Sequence, residues 1–538
     1  MTRHVSTVGA AALGALLAAA PALAQRTSSA TDIAIANRIG FGVTPSQVAE
    51  IDAKGLNAWL NEQLHPASDD AGLPPDIAAM IDAMPHLKKS GDDQVAEITA
   101  LKKKADDATK AFNAAQASPA PTTPPPAAST MTTPAPPPTA TPPITGNQVF
   151  NTYRGETLTE IQSRRVLREI YGHDQLREQM AWFWFNHFNV LWDKGDTSYR
   201  IADYEDRAIR PHALGKFRDL LEANLRHPAM LQYLDNQQNA ANHINENYAR
   251  EIMELHSMGV GSGYSQADVE ALAHILTGVG YAPVSQTIKV PPAQQALLIR
   301  DGDFVFNPTK HDFGDKVFLG QTIKGSGYDE VKQALDLICK QPATARFISG
   351  KLARLFVADD PPPELIDAMA ERFQSSDGDI AEVLNLLFRS HQFRQSLKAP
   401  LLKDPEHYII SAMRLSFDGR TIMNTKPIVN WISQLGEPVY AHVTPDGYPM
   451  TRSFWNGPGQ IEQRFEIARS IGYGYNSLFK PDGVTAPIET TLPPLQANAT
   501  LARIDQSLAG PTKDALAQAK APGEWNTLLL ASPDFMGR

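Results

Sequence analysis

Met180-Ala-Trp-Phe-Trp-Phe-Asn-His-Phe-Asn-Val-Leu191 is apolar on almost every side of a helix. A helix without a polar face is buried, so this stretch predicts a core built from helices. Asn186, His187 and Asn189 interrupt it. A buried polar group left without a partner costs about 1–3 kcal/mol, so all three need partners. At about 100° per residue, Asn186 and Asn189 share a face with Trp182, and His187 points away from them. Two readings stay open. The three side chains tie down neighbouring loops, or they form a polar site lined by aromatics, with His187 as acid/base or ligand.

The flanking sequence extends the helical pattern in both directions. Residues 31–65 repeat apolar positions at helical spacing, with Thr44 as N-cap and Pro45 at the first helical position. Thr157-Leu-Thr-Glu160 and Ser265-Gln-Ala-Asp268 read as capping boxes. Further helices are predicted near 247–258, 328–340, 343–357, 363–375, 378–390, 404–416, 460–472, 497–508 and 524–531. The rhythm changes between 281 and 324, where Phe304-Val-Phe306 and Lys316-Val-Phe-Leu319 predict a small β-hairpin near 304–320. The expected class is mainly α, a multi-helix globular body with that hairpin and a Pro-rich disordered insertion.

The insertion is compositional. Residues 118–144 hold 11 prolines among Ala, Thr and Ser, and such a segment cannot form a core. The helix before it, about 92–117, carries a narrow stripe of Val95, Ile98, Leu101, Ala105, Ala108 and Phe112. Its steps of three and four match a coiled-coil seam or a helix packed on its own domain. Residues 1–24 read as a secretory signal: an apolar run to about Ala20, then the small-x-small pattern Ala22-Leu23-Ala24. The expected division is 1–24 signal peptide, 25–117 N-terminal helical segment, 118–146 Pro-rich spacer, 147–400 main helical body and 401–538 C-terminal helical and loop part.

Composition narrows the function classes. Lys and Arg total 49 against 59 acids, a net charge of −10, which argues against a broad nucleic-acid surface. Cys339 is the only cysteine, so there is no intramolecular disulfide and no Cys-rich zinc site; in its apolar helix it reads as an inert thiol. No later run is long and apolar enough to span a bilayer. The expected location is periplasmic or secreted.

Three further segments carry candidate chemistry. In Asn247-Tyr-Ala-Arg-Glu-Ile-Met-Glu-Leu-His256, one sector of the helical wheel gathers Asn247, Arg250, Glu251 and Glu254. The two acids at i and i+3 can meet at one cation, or divide as acid and base; the same residues also make an Arg–Glu network with Asn247 as N-cap. There is no His-Glu-x-x-His. His311-Asp-Phe-Gly314 places His311 and Asp312 side by side in a loop, as metal or substrate ligands or as a turn closed by Asp312. Pro445-Asp-Gly-Tyr-Pro449 is an aromatic, turn-rich loop that fits a ligand groove or plain surface packing. No Gly-x-Ser-x-Gly elbow is present.

Together with Asn37-Arg-Ile-Gly-Phe-Gly-Val-Thr-Pro45, Leu276-Thr-Gly278 and Pro342-Ala-Thr-Ala-Arg-Phe347, these segments resemble the DUF1800 family in ordered series from about 32 to 535. The Pro-rich spacer and its preceding helix look like an insertion, and His274 stands where the family pattern often has Arg. The resemblance implies export, a helical body and an exported working partner of the DUF1501 type; it implies no reaction. Two functions follow. One is an exported binding or assembly protein with a buried polar site at Asn186, Asn189, Asn247, Arg250, His311 and Asp312. The alternative is a metal-assisted or acid/base hydrolase-like enzyme using His187, Glu251 and Glu254, with a divalent metal as its cofactor. Convergence on one solvent-reachable pocket separates them.

Overall fold

The computed structural model describes residues 27–67, 72–117, 141–504 and 508–538. The predicted signal peptide, and residues 118–140 of the predicted spacer, lie outside the described residues. The protein is mainly α, with two small antiparallel sheets. One hydrophobic cluster runs from Ile33 to Met536, so the first and last helices share a core with the middle of the chain.

The centre of that core is the Gln175–His187 helix, buried at every position. Beside it lies the Pro405–Ser416 helix, also buried throughout. His407 joins them: its ring stacks on Phe41 and meets the edge of Trp182. Arg414 then donates to the carbonyls of Gly42 and Ile170, closing the C-terminal end of the Gly146–Tyr171 helix. A Cβ at Gly42 would stand 2.7 Å from Ser411 Cβ, and its φ is +89°. That close approach explains the second glycine of Gly40-Phe-Gly42.

The helix before the spacer finds its partner within the chain. The Gly91–Ala117 helix runs antiparallel to the Gly146–Tyr171 helix. Gly146 N–H donates to Asp106, 3.1 Å, and Tyr153 Oη to Glu97, 2.7 Å. Val95 and Ile98 of the predicted seam pack with Val149, Phe150 and Tyr153. The second of these helices starts well before the box at Thr157. Thr145 and Gln148 form the capping box that opens it, while Thr157 donates back to the Tyr153 carbonyl, 3.0 Å. The box at Ser265 and Asp268 forms as read.

The strand pairing corrects the expected hairpin. Both predicted runs are strands, but they do not pair with each other. Phe304–Phe306 is the centre of a three-stranded sheet, between Val279–Tyr281 and Ile299–Asp301. Lys316–Phe318 pairs with Gln321–Ile323. Each run has a nearer partner across a two-residue turn. Leu319 and Gly320 both have positive φ, 47° and 75°, as the tight hairpin turn requires.

Buried charge sits where the central helices meet. Arg165 Nε donates to Glu406, 2.8 Å, and to Glu169, 3.0 Å. Glu437 accepts from the Glu406 N–H, 3.0 Å. Burial pushes the Glu437 carboxyl well above its ordinary value, helped by Asp404 and Glu406 and opposed by Arg165. A raised folded-state value means that the folded chain keeps a proton the unfolded chain releases. This contribution to stability is complete below about pH 4.5 and is lost as pH rises toward the folded value. Glu437→Gln should therefore gain on wild type above that pH, by up to about 1.4 kcal/mol per pH unit. Urea unfolding of both proteins across pH 4–8 checks this; a constant difference contradicts it.

Candidate functional site

The core helix ends at His187, and the polar residues at that end hold a distant loop. The Asn186 side chain pairs with the main chain of Tyr448 in both directions. Its Nδ2 donates to Tyr448 O, 2.9 Å, and its Oδ1 accepts from Tyr448 N–H, 2.6 Å. Asn189 Nδ2 donates to His442 O, 3.0 Å, and to Thr444 O, 2.8 Å. Tyr233 Oη adds a bond to Val443 O, 2.7 Å. The loop lies so close that a Cβ at Gly447 would be 2.0 Å from Asn186 O, and its φ is +75°. Only glycine fits there. Upstream, buried Tyr440 takes the left-handed backbone at φ +65°, with its hydroxyl bonded to Glu205.

His187 turns the other way, as its angle on the helix predicts. Nε2 lies 3.0 Å from His256 O. A carbonyl only accepts, so Nε2 carries the proton. Nδ1 is then the bare nitrogen, and it accepts from Lys351 Nζ at 2.8 Å. Both ring nitrogens are occupied. Burial holds His187 well below its ordinary value, with Lys351 and His256 adding to the effect. Lys351 is itself pushed down to about 8, by burial first and Arg354 second. Buried His256 is pushed down to about 3 by burial and then Lys351, and its Nε2 has no hydrogen-bond partner.

The second predicted patch lies alongside. The Asn247–Glu251 helix widens into i→i+5 turns over Ile252–Ser257. Asn247 is the first helical residue rather than the N-cap, and its side chain bonds Leu234 O, 3.2 Å. Arg250 is held by Glu254, 3.2 Å, Glu246, 3.0 Å, and Gln266, 2.8 Å. Glu254 is thus neutralised by its own helix. Glu251 is half-buried and has no hydrogen-bond or ion-pair partner among the described residues. Burial pushes its carboxyl up, with Glu254 and then Asp446 adding to the shift. Asp446, on the clamped loop, is within electrostatic reach of both Glu251 and Lys351. Glu251, Asp446 and Lys351 therefore form one charged cluster beside the joint.

The third patch does not join them. His311 lies beside the small sheets with no exposed side-chain surface. Nε2 is 2.8 Å from Glu330, and Nδ1 is 2.8 Å from Thr277 O. Glu330 also accepts from Lys316, 2.7 Å. Asp312 pairs with His274 at 2.6 Å. Cys339 is half-buried, and burial pushes its thiol up to about 12.

Among the described residues, no group of three or more His, Cys, Asp or Glu is placed to hold a metal ion. Nor is any described helix long and apolar enough to cross a membrane. Sequence reading passed over Lys351. It sits in the amphipathic Pro342–Phe356 helix, where one lysine carries no signal of its own. Asp446 was visible only as part of a turn.

This fold and joint define a helical protein in which most of the polar motif residues read from the sequence are internal fastenings. The chain belongs to the DUF1800 family: the family model, described as a protein of unknown function, matches residues 34–537. No curated protein and no solved structure matches the chain.

The joint makes a quantitative prediction. Gly447→Ala and Asn186→Ala should each destabilise the protein by about 2–4 kcal/mol. The double variant should lose less than the sum, because both changes break one contact. Urea unfolding measures all three. Single losses under about 0.5 kcal/mol, or full additivity, would count against the clamp.

Proposed function

We propose that this DUF1800 protein is exported and works in the periplasm or outside the cell as a binding or assembly protein. Its contact site is the charged cluster of Glu251, Asp446 and Lys351, and its partner is an exported protein of the DUF1501 type. One observation carries this reading: of the nine residues singled out in the sequence, Glu251 alone has no hydrogen-bond or ion-pair partner among the described residues. Asn186, Asn189, Asn247, Arg250, Glu254, His311 and Asp312 are held by internal partners, and His187 has both nitrogens occupied. A half-buried carboxylate without an ion-pair partner among the described residues suits a cationic group brought by a partner. The N-terminal signal and the resemblance to exported proteins support the location.

A second reading rests on the same cluster. Glu251 is pushed up and Lys351 is pushed down to about 8. Both shifts run toward neutral pH, as general acid/base groups require. In that reading the working groups are Glu251 and Lys351, and His187 positions the lysine through Nδ1.

One comparison separates the two. The full chain and Glu251→Gln are tested for binding to a purified DUF1501-type protein from the same source, and for hydrolysis of a panel of ester, amide and glycoside substrates. The binding reading expects a wild-type complex weakened about tenfold, 1.4 kcal/mol, in the variant. Absence of a complex, with hydrolysis that the variant loses while keeping its fold, overturns that reading in favour of the enzyme.

A further inference from the structure

A separate cavity of about 170 Å³ lies between the Ala30–Ile39 and Pro405–Ser416 helices and the last helices of the chain. Its walls are apolar, with Ile33, Leu415 and Leu529 among them, and Arg38, Lys403 and Arg538 line it as well. These cations are bonded to main-chain, hydroxyl and amide oxygens. Arg38 donates to Phe356 O, 2.9 Å, to the main-chain O of Arg538, 2.8 Å, and to Ser396 Oγ and O, 3.2 and 3.3 Å. Lys403 Nζ donates to Phe535 O, 2.7 Å, and lies 3.9 Å from the centre of that ring. Arg538 donates to Gln179, 3.0 Å, and to Leu355 O, 3.1 Å. Its Nε is buried with no partner. Behind them, fully buried Arg464 donates once, to Lys403 O at 2.7 Å, and its Nε and one terminal nitrogen have no partner.

Few carboxylates answer this cluster. Asp404 faces Lys403, Arg464 and Arg538 but is bonded to His407 at 2.8 Å. Asp534, in the cavity wall, is held by Thr512 and Ala509 N–H. Asp359 is paired with Arg452, 3.2 Å. No side-chain carboxylate among the described residues is at ion-pair distance from Arg38, Lys403, Arg464 or Arg538. A carboxylate ending the chain at Arg538 would lie against Arg38. Burial lowers Lys403, with Arg538 and Arg464 adding to it, and burial lowers Arg538 to about 10. Buried cations without ion pairs are costly, and a bound anion relieves that cost.

We propose that this cavity binds an amphipathic oxyanion. A carboxylate or phosphate headgroup sits against Lys403, Arg38 and Arg538, and an unbranched apolar tail lies along Ile33, Leu415 and Leu529. This site is independent of the cluster at Glu251. An apolar concavity with a few convergent charged groups is the usual form of a small-ligand site.

Isothermal titration of the full chain with octanoate, octyl phosphate, octanol and inorganic phosphate tests the proposal. We expect saturable one-site binding of at least one alkyl anion, and the stronger of the two identifies the headgroup. Octanol and inorganic phosphate should each bind at least tenfold more weakly. Lys403→Gln should weaken the anion at least tenfold. Ala34→Leu, which fills the half-open wall, should weaken it too, and it keeps the test decisive if the lysine variant does not fold. Equal binding of octanol, inorganic phosphate as strong as the alkyl anions, no binding of either anion, or a folded Ala34→Leu with unchanged affinity would overturn it.

Discussion

A single side-chain amide, that of Asn186, pairs with the main chain of Tyr448 much as one strand pairs with another. The residues around it follow from that pairing. It needs bare backbone beside it, so position 447 is glycine. Its neighbour Asn189 collects the carbonyls of His442 and Thr444, so the whole turn is fixed rather than only its tip. With both asparagines directed to the loop, His187 faces the opposite side of the helix end. There it bridges His256 O and Lys351. The fixed loop in turn sets Asp446 near Glu251 and Lys351, and the chemistry of that cluster depends on the joint beside it.

This view explains why several motif residues are polar without being free. Buried amides and cations need partners, and here those partners are mostly main-chain oxygens from distant segments. Arg38 of Asn37-Arg-Ile-Gly-Phe-Gly binds the carbonyls of Phe356, Ser396 and Arg538, hundreds of residues away. Arg414 closes the end of one helix and the Gly42 turn together. His311 joins a loop to a helix through Glu330. These contacts fix how helices without a regular packing repeat sit against one another. Among the described residues, Glu251 and the cations around Lys403 have no ion-pair partner and stand out against that background.

The fold was legible where local signals are strong. The largely apolar stretch from Met180 becomes a buried helix, though it ends at His187 rather than Leu191, and the cap at Thr44 and the box at Ser265 form as read. Strand partners were not legible, because Phe304–Phe306 and Lys316–Phe318 are three residues each and any neighbour satisfies their pattern. At the site, the need of Asn186 and Asn189 for partners could be read, but not that Tyr448 and His442 would supply them, more than 250 residues on. Lys351 could not be found at all, since its lowered value arises from burial beside His187 and Arg354, which is a property of the assembled fold. Asn247 misled for a local reason: its amide reaches Leu234 O instead of its own helix.

The most direct test of the joint is hydrogen exchange at the Tyr448 amide, whose N–H donates to Asn186 Oδ1. In the wild-type chain this amide should exchange with the slow core amides of the Gln175–His187 helix. In Asn186→Ala it should exchange at the rate of an open loop while the helix amides stay slow. A Tyr448 amide that exchanges freely in wild type, or stays equally protected in the variant, would contradict the account.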